Sequence, residues 1–184
     1  MSRIAEAFYT SVYQRVHEGR ILNHVDFTIF GLNALRTEKE KNPLLPLVLV
    51  SGAVTPREDQ IVELLQKRPG LSRDEAYIKI LKRNEAILRA NRMYLQKQYP
   101  SHNFITSADL MPSTRIHFGS MTNDQFRQAW DTFVRSGFIN ELVALNGAHL
   151  SKGANIEHDA ALDQQLPIYY ESPEERNEFL RRAA

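Results

Sequence analysis

The sequence contains no cysteine, and this absence removes several kinds of site at once. Without thiols there is no disulfide framework, no cysteine nucleophile and no cysteine-bound metal centre. The six histidines are scattered without metal-ligand spacing, and neither a Walker loop nor a GxGxxG sequence occurs. We therefore expect no metal and no cofactor. The lack of cysteine also fits a reducing compartment.

Long apolar runs and a large charge of one sign are missing as well. No stretch approaches the roughly 20 residues that a membrane-spanning helix needs. The N-terminus, "MSRIAEAFYTSVYQRVHEG", carries Glu6 and other polar residues where a signal peptide has an unbroken apolar core. The 23 Lys and Arg residues against 22 Asp and Glu residues give a net charge of +1, so no overall field attracts nucleic acid or membranes. These absences predict a soluble, cytoplasmic protein with no membrane partner.

The composition that remains is ordinary for a globular protein, with 42% hydrophobic and 24% charged residues in a chain of 184. A chain of this length is expected to form a single domain with one core. Within it, residues 1–42 are predicted to be a helical N-terminal extension, and residues 43–184 the α/β core.

Four short apolar runs alternate with helical patterns in the core. The runs lie in "LPLVLVSGAVTP", "HNFITSADLMP", "FINELVALNG" and "LPIYYE", and the longest helix is predicted within residues 71–100. This alternation predicts an α/β fold, a flavodoxin- or Rossmann-like open parallel sheet flanked by helices, with the N-terminal helical segment added. We also predict a loop at "RTEKEKNP", a helix that begins at Thr55, and a capping box from Ser172 to Glu175.

Open parallel sheets bind ligands at the carboxyl ends of their strands. That rule selects the loops that follow the first three runs, at residues 51–53, 107–111 and 146–153. Glu157 comes just after the third loop, on a helix for which Ser151 is the predicted N-cap. Ala154 and Ala161 share its helix face, so a small-walled space could lie beside its carboxylate. The alternative is an ordinary solvated glutamate, because Glu is rarely buried unless it is paired.

The stretch "ELVALNGAHLSKGANIEHDAALDQQLPIYY" resembles the signature region of the nucleoside 2-deoxyribosyltransferase-like family. It is most similar to the small bacterial and phage branch, related to 2′-deoxynucleoside 5′-phosphate N-hydrolases, in which a Ser-basic-Gly-Ala loop precedes the glutamate. Here these residues are Ser151, Lys152, Gly153, Ala154 and Glu157. "VLVSGAVT" is similar to the first strand and glycine turn of the family. In outline the resemblance covers residues 46–171.

The resemblance implies cleavage or transfer of the N-glycosidic bond of a nucleoside or nucleoside 5′-monophosphate. In the family the glutamate at the position of Glu157 is the nucleophile, because an oxocarbenium-like transition state requires negative charge against the sugar ring. A second carboxylate upstream of the third strand assists the leaving base, and Asp131 is the candidate, with an exposed helix aspartate as the equal alternative. Family members usually complete their pocket with a neighbouring subunit. We therefore expect at least a homodimer, with Ile80 and Leu81 as the contact stripe.

Further binding residues are predicted in the same three loops. If the substrate carries a 5′-phosphate, Ser51 with Gly52 and Ser151 with Gly153 are expected to hold it through hydroxyls and amides. Simple helix capping is the alternative for Ser151. The remaining candidates for substrate contacts are His149, which could stack on a base or be an ordinary loop residue, and Asp109.

Two other functions stay open. The chain could be a nucleotide-binding protein without turnover. It could also bind nucleic acid through its long helix, because residues 67–97 hold nine basic residues and three acidic ones. A solvated face or a subunit contact explains this charge equally well, and nucleic acid is the less favoured partner.

Overall fold

The computed structural model describes residues 3–110 and 121–183. Its centre is a four-stranded, all-parallel sheet with the strand order β2-β1-β3-β4. The strands are β1 Leu47–Ser51, β2 Asn103–Thr106, β3 Glu141–Ala144 and β4 Ile168–Tyr170. Each of the four predicted apolar runs contains one strand, and the predicted α/β fold with an open parallel sheet is confirmed.

Eight α-helices accompany the sheet in the described residues. They are α1 Arg3–His17, α2 His24–Lys41, α3 Glu58–Lys67, α4 Arg73–Gln98, α5 Ser107–Leu110, α6 Asn123–Arg135, α7 Lys152–Asp163 and α8 Pro173–Ala183. Five of them begin after a polar residue whose side chain accepts a hydrogen bond from the first turn, namely Asn23, Ser72, Thr122, Ser151 and Ser172. None of the helices in residues 3–110 and 121–183 combines the length and the apolar character needed to cross a membrane.

Helix α2 continues through most of the segment predicted to be a loop. "RTEKEK" forms its last turns because Glu38, in the middle of that segment, is buried. The Glu38 carboxylate accepts hydrogen bonds from the side-chain amides of Asn42 (2.7 Å) and Asn103 (2.6 Å). The contact with Asn103 joins residues 65 positions apart in sequence, so the local charge pattern could not predict that Glu38 is buried in a helix.

Helix α3 begins at Glu58 and not at Thr55. The side-chain oxygen of Gln60 accepts a hydrogen bond from the Arg57 backbone N–H at 3.0 Å, which fixes the helix start after Arg57. The buried side-chain amide of Asn84 on α4 donates a hydrogen bond to the Val54 carbonyl at 3.2 Å and so fixes the segment before α3 against α4. The loop after β1 is therefore longer than predicted, and Val54 and Thr55 belong to it.

One face of the sheet carries the main core. Leu47, Leu49, Ile105 and Leu142 point to this face, where α1, α2, α6, α7 and α8 cover them. The two N-terminal helices thus share one continuous core with the sheet. Gly31 lets α2 approach the Phe133 ring of α6 so closely that no side chain would fit there.

The opposite face is covered by α4, which packs on β1 and β2. Val48, Val50 and Phe104 from the strands contact Leu88 of α4 in a second, smaller cluster. Helix α3 lies against α4, where Ile61 contacts Ile80. Since Ile80 is only 2% exposed and Leu81 packs on the sheet cluster, the predicted Ile80/Leu81 stripe is not available to a second subunit.

Candidate functional site

Glu157 is buried at the carboxyl end of β1. It lies in the second turn of α7 and is only 4% exposed. Ser51, the last residue of β1, donates a hydrogen bond from its Oγ to Glu157 Oε2 at 2.5 Å. The alternative of a solvated surface glutamate is therefore excluded.

Burial dominates the electrostatics of this carboxyl group. It raises the pKa of Glu157 from 4.5 to about 7, because the charged form loses its hydration in the interior. The hydrogen bond from Ser51 acts in the opposite direction, since it favours the carboxylate. A glutamate with a pKa near 7 exchanges its proton in the physiological range, which is typical of functional sites.

A cleft leads from the surface to Glu157. Its cavity volume is about 30 Å³, and about 430 Å³ of empty space surrounds it when open solvent is counted. Four parts of the chain form its walls. The lining residues are Gly52, Val54 and Thr55 after β1, Ser107 after β2, Asn123, Phe126, Arg127 and Trp130 on α6, and Ser151, Gly153 and Ala154 at the start of α7. The cleft thus lies at the carboxyl ends of β1 and β2 and at the N-terminus of α7, as the strand-end rule predicts.

The cleft wall formed by α6 was not predicted from the sequence. Its lining residues recur at helical spacing, with Asn123 followed by Arg127 four positions later and Trp130 three positions after that. The Trp130 ring is buried beside Phe133, and its indole N–H has no acceptor among the described residues. The sequence does contain a signal for this wall. Trp130, the single tryptophan of the chain, lies one turn after Arg127 and two turns after Asn123 on the same helix face.

Most of the predicted loop residues do meet at the cleft. Gly52, Ser151 and Gly153 line it, and Ser51 lies beside Glu157. The Ser51 hydroxyl is already engaged with the carboxylate, so this geometry does not support the prediction that it holds a phosphate. Ser151 caps α7, because its Oγ accepts a hydrogen bond from the Ala154 N–H at 3.4 Å.

Asp131 does not reach the cleft, although it follows Trp130 directly in sequence. Its carboxylate accepts a hydrogen bond from Arg135 Nε at 2.9 Å. Arg135 also binds Asp163 at the far end of α7. Successive residues of a helix point about 100° apart, so Trp130 faces the cleft whereas Asp131 faces the surface.

His149 and Asp109 also serve the scaffold. The His149 backbone N–H donates to the buried carboxylate of Glu175, and its ring Nδ1 lies 2.8 Å from the same group. Glu175 therefore holds the loop after β3 in place through hydrogen bonds. Of the predicted capping box, Ser172 does cap α8, but the Glu175 side chain binds the loop after β3 and not the N-cap backbone. Asp109 is buried, accepts a hydrogen bond from the Thr106 N–H and lies 3.3 Å from Arg92 Nε.

Glu157 is the single acidic residue among the described residues that line the cleft. The sequence of residues 111–120, "MPSTRIHFGS", contains no Asp or Glu either. A reaction that begins at Glu157 must therefore take any assistance to the leaving group from neutral or cationic groups. In the described residues these include Arg127 and the Trp130 indole N–H.

No family model, curated protein or solved structure matches the chain. Nor do three or more His, Asp or Glu side chains lie together, within residues 3–110 and 121–183, in a way that could hold a metal ion. What the site can do chemically follows from its own residues.

Proposed function

We propose that the protein cleaves or transfers the N-glycosidic bond of a nucleoside or nucleoside 5′-monophosphate, with Glu157 as the nucleophile. The observation that carries this proposal is a buried carboxyl group, positioned by the Ser51 hydroxyl, at the base of a cleft walled by Gly153, Ala154 and Trp130. Burying a carboxylate without a cation beside it lowers the free energy of unfolding. Carboxyl groups in such unfavourable surroundings are typical of functional sites.

The chemistry proceeds in two displacements. In the first, a Glu157 carboxylate oxygen attacks the anomeric carbon, the C–N bond breaks, and its electron pair leaves with the base. In the second, water or another base attacks the same carbon, the ester bond to Glu157 breaks, and the carboxylate is released. The proton that the attacking water or base loses balances the proton that the departed base takes up. Ser51 orients the nucleophile in both steps through its 2.5 Å hydrogen bond.

The lining of the cleft offers suitable contacts for the other parts of such a substrate. The aromatic side chains of Phe126 and Trp130 offer an apolar wall for a flat nucleobase. Arg127 brings a guanidinium group to the same wall. Its side chain is 19% exposed and forms an ion pair with the solvent-exposed Asp124. A phosphate can replace this exposed partner at little cost, since surface ion pairs contribute little to stability.

Arg127→Ala should reduce the preference for nucleoside monophosphates over free nucleosides by about tenfold or more. A charge-assisted hydrogen bond to phosphate contributes about 1.5 to 3 kcal/mol, and the free nucleoside does not make it. The measurement is kcat/KM for a nucleoside and its 5′-monophosphate with both proteins. Arg135→Ala is the matched control, because Arg135 lies on the same helix but binds Asp131 and Asp163 away from the cleft. Equal loss on both substrates would remove Arg127 from the phosphate site.

Ser51→Ala should move the pH dependence of base release to higher pH. The Ser51 hydroxyl favours the charged form of Glu157, so its removal raises the pKa of Glu157 further. The pH at which kcat/KM is half-maximal then rises, and activity at neutral pH falls. Ser101→Ala, in an exposed position next to His102, is the control. An unchanged pH midpoint in Ser51→Ala would show that the hydroxyl does not tune this carboxyl group.

The two alternative functions give different results in simple assays. A nucleotide-binding protein without turnover would bind monophosphates but release no base from a panel of nucleosides and nucleoside monophosphates, as followed by chromatography. The nucleic-acid alternative is weakened by ion pairs on the basic segment. Two of its nine basic residues, Arg89 and Arg92, are paired with the buried carboxylates of Glu85 and Asp109 and are therefore not free to bind a phosphate.

A further inference from the structure

The sheet face that carries α4 is only half covered by the described residues. Helix α4 packs on β1 and β2, while the area over β3 and β4 forms a groove with about 1150 Å³ of empty space, part of it open to solvent. We call this the tyrosine groove, after Tyr94, Tyr99 and Tyr169, which line it. It occupies the place where an open parallel sheet with helices on both faces has its next helix.

The tyrosine groove has an apolar floor and a carboxylate at each end. Val143 of β3 lies on the floor. Glu141 lines the end where Tyr99 and His102 lie, and Glu171 lines the opposite end, near Ile87 of α4. Tyr94, Tyr99 and Tyr169 are each more than half exposed, which is a large amount of aromatic surface to leave in water.

The outer face of α4 has the complementary pattern. Its centre is apolar, with Ala86 and Ala90 exposed and Met93 62% exposed. Cations flank this centre on the same side of the helix, with Arg83 at one end and Lys97 at the other, both exposed. The small side chains of Ala86 and Ala90 allow a second surface to approach the helix closely.

We propose that a second copy of this chain covers the tyrosine groove with its α4, and that the two copies form a two-fold symmetric dimer. In this dimer the α4 helices of the two copies lie side by side, and the two-fold axis runs between them, parallel to both. The outer face of each α4 then lies in the tyrosine groove of the other copy. The Arg83 end of one copy then meets Glu171 of the other, and the Lys97 end meets Glu141. Such an interface is isologous, because each copy contributes both the helix and the groove.

Ile87 occupies a particular position in this dimer. It is 53% exposed, lies on the flank of α4 that faces the groove, and faces the same residue of the second copy across the axis. Ile29 on α2 offers a matched control, since it is also helical and 48% exposed, on a helix that packs on the opposite face of the sheet.

Light scattering at micromolar concentration should give twice the chain mass of 21.2 kDa for the wild type. Ile87→Arg should reduce the mass to that of one chain, because it places two like charges at the axis, whereas Ile29→Arg should remain a dimer. A wild type that is monomeric, or a dimer that survives Ile87→Arg, would overturn the proposal.

The absence of cysteine allows a second test that does not depend on dimer stability. Ile87→Cys introduces the sole thiol of the chain, and a short bismaleimide should link two copies through it with high yield. Ile29→Cys should give little linked product under the same conditions. Equal yields from the two variants would place the contact elsewhere. Neither test uses substrate, so the dimer and the proposed reaction can fail separately.

Discussion

Glu157→Gln should abolish base release from nucleosides and nucleoside monophosphates, with a loss of several orders of magnitude in kcat. The amide keeps the shape of the side chain and can still accept the Ser51 hydrogen bond, but it cannot form the covalent bond to the anomeric carbon. The protein should remain folded, and substrate should still bind, because the cleft walls are unchanged. The measurement is chromatographic detection of free base with wild type and variant under identical conditions, with circular dichroism as the test of folding.

The control for this experiment is Glu174→Gln, the same chemical change at an exposed position of α8. It should leave base release unchanged. If the wild type releases base and Glu157→Gln releases it nearly as fast, Glu157 is not the nucleophile. If the wild type binds monophosphates but releases no base from the whole panel, the nucleotide-binding alternative replaces the enzyme.

The position of Glu157 could be predicted because local features determine it. The helix start at Ser151 and the small neighbours Gly153 and Ala154 are readable from sequence, and the strand before them is a short apolar run. The sheet follows from the same local patterns, since each strand is an apolar segment of three to five residues between helices.

Other parts of the site depend on contacts between distant segments. The hydrogen bond from Ser51 to Glu157 joins residues 106 positions apart, and no local pattern distinguishes it from a phosphate contact. Asp131 and Trp130 are adjacent, and only the packing of α6 on the core decides that the tryptophan faces the cleft. The half-covered sheet face is a property of the whole fold, because it depends on where every helix lies.

The stability of the protein should also respond to Glu157→Gln, in a direction that depends on pH. In the folded state burial raises the pKa of Glu157 from 4.5 to about 7, whereas in the unfolded chain this side chain has its ordinary pKa. Between these two pH values the folded protein holds a proton that the unfolded chain has released. The free energy of unfolding therefore falls as pH rises through this window, and the loss is complete above the folded pKa.

The rise in the pKa of Glu157 from 4.5 to about 7 corresponds to a loss of about 3 kcal/mol in the free energy of unfolding. A glutamine side chain at this position cannot ionise, so the Glu157→Gln variant lacks this loss. Its free energy of unfolding should be close to that of the wild type at about pH 4 and exceed it by up to about 3 kcal/mol at about pH 8.

Urea unfolding of both proteins at the two pH values measures this difference, and Glu174→Gln should stay within about 0.5 kcal/mol of the wild type at each. A difference that does not change with pH would mean that Glu157 is not a desolvated carboxyl group. A gain in stability at alkaline pH together with a loss of base release would instead indicate that the chain keeps a destabilising carboxylate for its chemistry.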